Sequence, residues 1–129
     1  MKSFTQYLIE ANEAYQKFNK YGSLKIERGI LFLDGEKVGK AFISIKEILS
    51  LSIIMIDKEH RKSGYGNQFM EQLVKMADDL SLTIGLTPSN SFGASKAKLV
   101  KWYKKFDFKK NTGGKADFTI SDTMIRRPQ

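Results

Sequence analysis

The chain has no cysteine and a single histidine among its 129 residues. Without thiols there is no disulfide framework, no thiolate metal site and no cysteine nucleophile. With His60 alone, a histidine-based zinc centre or a Ser-His-Asp triad is a poor fit. The absence of cysteine also suits a reducing compartment. No apolar run reaches the roughly 18 residues that a membrane span needs, so no membrane partner is expected. The first ten residues lack the long apolar stretch of a secretory signal. Acidic residues are outnumbered, 14 Asp and Glu against 22 Lys and Arg, and the net charge is +8. That excess favours anionic partners, among them nucleic acid, acidic protein and polyphosphate cofactors, without choosing between them.

What is present suffices for one domain with a core of its own. The chain is 41% apolar, with nine Phe, five Tyr and one Trp. A chain of this length buries roughly two-thirds of its unfolded surface. In "SFTQYLIEANEAYQKFNKYG", Phe4, Tyr7, Leu8, Ala11, Tyr15 and Phe18 recur at spacings of three and four, which predicts an amphipathic helix capped by Ser3 and ended by Gly22. "SLKIERGILFLDGEKVGKAFISI" holds two apolar runs around Asp34-Gly35, a hairpin signal. Gly39 within the second run marks a bulge or a close backbone approach. Ile48 to Ile56 is a continuous apolar run, the pattern of a strand buried on both faces.

The spacing then predicts a helix over 66–80, a short buried strand over 82–87, a polar loop over 88–94 and a second helix over 95–106. "DFKK" and "DFTISDTMIRR" supply the last strands around "NTGGK". Strands joined through helices argue for one parallel pair inside an otherwise antiparallel, mixed sheet, an α+β domain. Ligands in such sheets bind near the C-terminal strand ends, where connections diverge. Residues 96–110 carry seven lysines and one aspartate, read either as a solvated helix face or as a nucleic-acid patch.

The most informative stretch is "HRKSGYGNQF" (60–69), which sets Gly64 and Gly66 in front of a helix with Arg61 and Lys62 beside them. Helix starts carry unpaired N–H groups and partial positive charge, and glycines let a phosphate approach the backbone. The same residues also suit a tight strand-to-helix turn that binds nothing. The spacing is not that of a nucleotide triphosphatase loop, which needs Gly-Lys-Ser/Thr, nor of a dinucleotide fingerprint, which needs a glycine where Phe69 stands.

Arg-x-x-Gly-x-Gly after a buried strand and opening a helix resembles the acetyl-coenzyme A loop of the GNAT acetyltransferases. A second stretch, Trp102-Tyr103-Lys104-Lys105-Phe106-Asp107-Phe108, resembles that family's later helix, with Asp107 where a glycine is usual. The resemblance covers residues 29 to about 127. The course from Asn111 and Gly113 through Asp117-Phe118, Ile120-Ser121, Met124 and Arg126 to Pro128 is similar to small members encoded by large tailed bacteriophages. Only one helix precedes the hairpins, so part of the usual acceptor-binding lid is expected to be missing.

The resemblance implies acetyl transfer from acetyl-coenzyme A to an amine. It implies that backbone from Arg61 through Lys62, Ser63, Gly64, Tyr65 and Gly66 to Asn67 holds the pyrophosphate. Backbone at Met55 and Ile56 would serve the thioester oxygen, and Tyr103 would be the acid that protonates the leaving thiolate. Asn90 and Ser95 fall where the cofactor arm would pass, or equally act as turn and cap. Asp57 is the candidate base, with Glu59, His60 or a water as alternatives. No metal is implied.

A non-enzymatic reading stands beside this one. Residues 1–10, ending Leu8-Ile9-Glu10, resemble the capsid-targeting segments of phage internal head proteins. On either reading residues 1–22 are an N-terminal amphipathic helix preceding a GNAT-like domain over 23–129; on the non-enzymatic one, residues 1–10 are the targeting segment. The protein would be packaged in the virion, delivered to the host cytoplasm, and would bind DNA or a host protein with an inert fold. Exposed strand edges leave both monomer and homodimer open.

Overall fold

The structure is a computed structural model that describes residues 3–88, 95–112, 117, 119–120 and 122–129, with the side chains of residues 4, 6–8 and 10 outside that description. The first helix, α1, spans Phe4–Phe18. Its apolar spacing brings Ala14, Tyr15 and Phe18 into the core. The helix stops before Gly22. Asn19 takes over the backbone bonding there, donating to the Ile26 carbonyl at 3.0 Å and accepting from the Ile26 N–H at 2.7 Å.

Three antiparallel strands come next where the sequence suggested two: β1 (Leu24–Glu27), β2 (Ile30–Leu33) and β3 (Glu36–Ile45). The extra hairpin turns at Arg28-Gly29, with φ of 53° and 80°, nearly the geometry of Asp34-Gly35 at 52° and 82°. Two positive φ values in a two-residue loop match the right-handed twist of the flanking strands. The first turn is hard to read because arginine seldom adopts this conformation. β3 carries a bulge at Val38, the residue left over where Leu31 pairs with Gly39 and Phe32 with Lys37. Gly39 also marks a close approach, since a Cβ there would fall on the Met55 carbonyl oxygen.

β4 (Leu49–Ile56) pairs antiparallel with β3, and Ser52 forms a second bulge between the Phe42–Ile53 and Ile43–Leu51 pairs. After a single 3₁₀ turn at Lys58–His60 come α2 (Tyr65–Asp79), β5 (Ile84–Leu86), α3 (Lys96–Lys104), β6 (Lys109–Lys110) and β7 (Met124–Arg126). Among the described residues, seven strands form one sheet in the order β1-β2-β3-β4-β5-β7-β6, parallel only between β4 and β5. The expected mixed α+β architecture is present.

The helices share one face of the sheet. Phe18 packs on Phe69 with ring centroids 5.1 Å apart, and α3 meets the start of α2 through Trp102 and Asn67. Gln72, buried on α2, ties α1 to β1. Its amide donates to the Phe18 and Leu24 carbonyls at 2.9 and 2.8 Å and accepts from the Leu24 N–H at 3.2 Å. Leu24, Ile26, Leu31, Ala41, Ile43, Leu49, Ile84 and Met124 face the same core. On the opposite face Lys25, Glu27, Lys40, Phe42 and Ser52 are exposed. β4 is therefore not buried on both faces as its apolar run suggested. Only Leu49 and Leu51 are fully buried, and Ile53–Ile56 are half-buried.

The C-terminal strands are shorter than the apolar pattern implied. Asn111 organises the chain beyond β6. Its amide donates to the carbonyls of Asp117, Ile120 and Asp122 at 3.1, 3.1 and 3.2 Å and accepts from the Asp117 N–H at 2.7 Å. Arg126 then locks β7 to the helices. It donates twice to the Asp78 carboxylate, at 2.7 and 3.0 Å, and once to the Phe106 carbonyl at 2.8 Å.

Candidate active site

β4 and β5 run side by side for only three residues, Leu49–Leu51 against Ile84–Leu86. Beyond Leu51 the Ser52 bulge bends β4, and the strands part. Ile53–Ile56 keep β3 on one edge, and among the described residues the other edge of β4 has no strand partner there. Alternate backbone N–H and C=O groups on that edge therefore face an opening. The opening is a cleft of about 510 Å³, lined by Leu51–Ile56, Arg61, Gly64, Gly66, Asn67, Leu86, Thr87, Leu99, Trp102 and Tyr103. It lies at the divergence of a parallel pair, where ligands of such sheets bind.

Gly64 and Gly66 line the cleft for different reasons. Gly64 is the N-cap of α2 with φ 76°, a left-handed conformation that a side chain strains. No side chain caps the helix, and its first turn holds no acid. The leading N–H groups of α2 are therefore available to an anion at the cleft. Gly66 is already helical, and a Cβ there would touch only the Trp102 indole, at 3.4 Å. Arg61 donates from Nε to the Ile56 carbonyl at 2.9 Å, which holds its guanidinium where β4 ends.

α3 begins at Ser95, whose Oγ accepts from the Lys98 N–H at 3.2 Å, so Ser95 is a helix cap. Trp102 joins the two helices. Its indole N–H donates to Asn67 Oδ1 at 2.6 Å, and its ring packs against Phe106 and Tyr103. Tyr103 is buried except where it meets the cleft, and burial pushes its hydroxyl up to about 12. The turn after α3 survives the absence of glycine, because Asp107 itself adopts a left-handed φ of 71°.

Of the residues singled out in the sequence, Met55, Ile56, Arg61, Gly64, Gly66, Asn67 and Tyr103 line the cleft together. Lys62, Ser63 and Tyr65 belong to the same loop but do not line it. Asp57 sits just past β4, where its carboxylate pairs with Lys37 at 3.1 Å, and it is not among the lining residues. Glu59 lies in the 3₁₀ turn, and His60 Nε2 sits 3.5 Å from Glu36. Asn90 lies outside the described residues. Sequence reasoning missed Thr87 and the bracing role of Trp102. The signal for Thr87 was a polar residue directly after the buried run Ile84–Leu86. The seven lysines over 96–110 are all exposed. Among the described residues there is no cluster of metal-ligating side chains, and no helix is long and apolar enough to cross a membrane.

No protein-family model matches the chain, and no curated protein matches it in sequence. Solved structures do match in three dimensions. Arabidopsis thaliana Naa50, in complex with the bisubstrate analogue CoA-Ac-MVNAL, superposes with a TM-score of 0.61 at 15% identity, over 98% of this chain and 82% of that one. The fold is that of the GNAT N-acetyltransferases. Ard1 from Thermoplasma volcanium gives 0.54 at 17% identity, over 100% and 83%. The Escherichia coli ribosomal-protein-S18-alanine N-acetyltransferase gives 0.50 at 13% identity, over 98% and 90%. At these identities the likeness is one of GNAT fold, and it leaves the chemistry to be argued from the site.

Proposed function

We propose that this GNAT-fold chain transfers an acetyl group from acetyl-coenzyme A to a primary amine, either a protein lysine or a small amine, by direct attack within a ternary complex. One observation carries the reading: an uncapped, glycine-started helix opens onto the cleft where β4 leaves β5, with Tyr103 in the same cleft. The residues present fit the cofactor. The first N–H groups of α2 and the loop 61–67 suit its pyrophosphate. The unpartnered edge of β4 suits the amide-bearing arm, which can bond to it as a strand would. When bound, the cofactor supplies an acetyl group activated as a thioester.

The remaining steps fall to the chain itself. Backbone at Met55 and Ile56 is fixed by pairing to Lys40 and Gly39, which preorganises any donor it offers to oxyanion charge. Tyr103, shifted upward by burial, stays protonated at neutral pH and is equipped to give a proton to a leaving thiolate. Asp57, held by Lys37, contributes charge at the β4 terminus rather than a base inside the cleft.

Two measurements test this together: calorimetric titration with acetyl-coenzyme A, coenzyme A and adenosine diphosphate, and thiol release on adding primary amines. Binding that needs the whole cofactor, with amine-dependent thiol release, is expected. No binding at millimolar cofactor would leave the other reading: an inert GNAT fold acting on DNA or a protein through its lysine-rich surface.

A further inference from the structure

Asp122 is a carboxylate with no part in the chemistry assigned above. It stands two residues before β7, and the peptide group that follows it is held at both its oxygen and its N–H. Its carbonyl accepts from the Asn111 amide at 3.2 Å, and the N–H of the next residue, Thr123, donates to Thr87 Oγ1 at 3.3 Å. Its own Oδ1 lies 3.4 Å from the Thr87 hydroxyl, which lines the cleft. Ile84 and Leu86 face the core with the helices, so strand alternation turns the side-chain position of Gly85 to the opposite face. That position is filled by Asp122: a Cβ on Gly85 would run into Oδ2 and into Ile48. The carboxylate thus sits on the face that carries no helix among the described residues, next to the end of β5 where the cleft opens. The phosphate-side groups, Gly64, Gly66 and Tyr103, approach the same cleft from the helix side. Asp122 is not itself among the lining residues, and it meets the cleft wall through Thr87.

We infer that Asp122 is the acceptor-side acid–base group: it holds a primary alkylammonium at the helix-free mouth of the cleft and takes the proton that must leave before attack. The inference rests on the acetyl-transfer reading for its chemistry, but the ammonium site can be tested without it. Glycine at 85 makes room for the carboxylate, and Thr87 and Asn111 fix its place. Burial pushes the Asp122 carboxyl above its ordinary value, partly offset by Thr87, which suits a group that must accept a proton. The balance closes. The ammonium gives one proton to Asp122, which releases it to solvent. The nitrogen lone pair forms the C–N bond as the C–S bond breaks, and the sulfur leaves with that electron pair and takes a proton from Tyr103. The second nitrogen proton leaves through solvent and restores Tyr103. The acceptor class is thereby narrowed to amines that are cationic at neutral pH, the lysine side chain among them.

The test uses n-butylammonium as the probe, on the full chain and on Asp122→Asn. In ¹⁵N-labelled protein without cofactor, butylammonium should shift the amides of Gly85, Thr87 and Thr123 saturably, and Asp122→Asn should abolish the shifts at equal ionic strength. With acetyl-coenzyme A present, Asp122→Asn should slow transfer to butylamine by about tenfold or more. It should leave transfer to 2,2,2-trifluoroethylamine nearly unchanged, because that amine is largely neutral already and needs no base. Shifts equal in both proteins, no shifts in the native chain, or equal loss with the two amines would each overturn the inference. Localised shifts in a protein that fails to bind acetyl-coenzyme A would keep the ammonium site and sink the acetyl-transfer reading instead. If Asp122→Asn does not fold, Thr87→Val decides. It keeps the carboxylate but removes its fixing hydroxyl, so a partial loss for butylamine alone is expected, and no loss or an equal loss with both amines overturns the inference.

Discussion

Gly64 and Gly66 lie two residues apart, and alanine should act on them with opposite sign. At Gly64 nothing stands within 4 Å of an added Cβ, so sterics allow the substitution. The backbone does not, because φ there is 76°. A side chain in the left-handed region costs about 1–2 kcal/mol, while the stiffer unfolded chain returns about 0.4–1 kcal/mol. The net is a loss of roughly 0.5–1 kcal/mol. Gly66 is the second residue of α2, and its added methyl meets only the Trp102 ring, at ordinary contact distance. Alanine there is favoured by about 0.5–1 kcal/mol over glycine, through helix propensity and unfolded-state entropy. The two variants should therefore differ by about 1–2 kcal/mol. In a chain of this length that is a gap of roughly 3–8 °C in melting temperature. Urea denaturation of both variants, fitted as two-state transitions, measures it. A Gly66→Ala protein less stable than the parent, or a neutral Gly64→Ala, would refute the assigned backbone of the loop.

Tyr103→Phe should leave acetyl-coenzyme A affinity within about twofold and slow transfer by about tenfold or more, read by calorimetry and by thiol release. Because the folded Tyr103 value is raised to about 12, its contribution to stability is complete below the unfolded value of 10.0 and is lost as pH climbs toward 12. Alkaline unfolding monitored by circular dichroism should therefore shift upward in Tyr103→Phe. Gln72→Leu takes its partner from the Leu24 N–H and a bond each from the Leu24 and Phe18 carbonyls, the latter still accepting from the Tyr21 N–H, and should cost about 1–3 kcal/mol in chemical denaturation despite its similar volume. Asp78→Ala leaves the guanidinium of Arg126 buried without its partner and should cost about 3 kcal/mol. Hydrogen bonds from Arg126 hold the Asp78 carboxyl below its usual 3.8, so this stabilisation is present above that value and is lost as pH falls further. Acid titration of Asp78→Ala should show a flatter loss of stability in that range than the parent.

Much of the fold is written in patterns a reader can find unaided. The three-and-four spacing of Ala11, Tyr15 and Phe18, the Asp34-Gly35 turn and the helix after Gly66 each arise from local rules that the tertiary structure keeps. The glycine turn that opens α2 onto the cleft was legible for the same reason: its glycines and its place after a strand lie within ten residues. The features that escaped depend on where strands stop pairing. The run Ile48–Ile56 reads as fully buried because periodicity cannot report that β5 departs after Leu86, leaving half the strand to line a cleft. Arg28-Gly29 hides a hairpin because its first residue is an unusual occupant of positive φ. Asp57 stood out as an acid beside the loop, yet Lys37, twenty residues away in sequence, holds it. Asp122 had no local signal at all; the role inferred for it depends on Gly85, Thr87 and Asn111 meeting it from distant parts of the chain.

Whether the cleft between β4 and the start of α2 takes the cofactor decides the acetyl-transfer reading, and amide chemical-shift mapping with acetyl-coenzyme A answers it. Saturable shifts confined to Ile53–Ile56, Arg61–Asn67 and the Trp102 indole N–H are expected. Shifts spread instead over the exposed lysines of α3, or none at millimolar cofactor, would contradict the assignment.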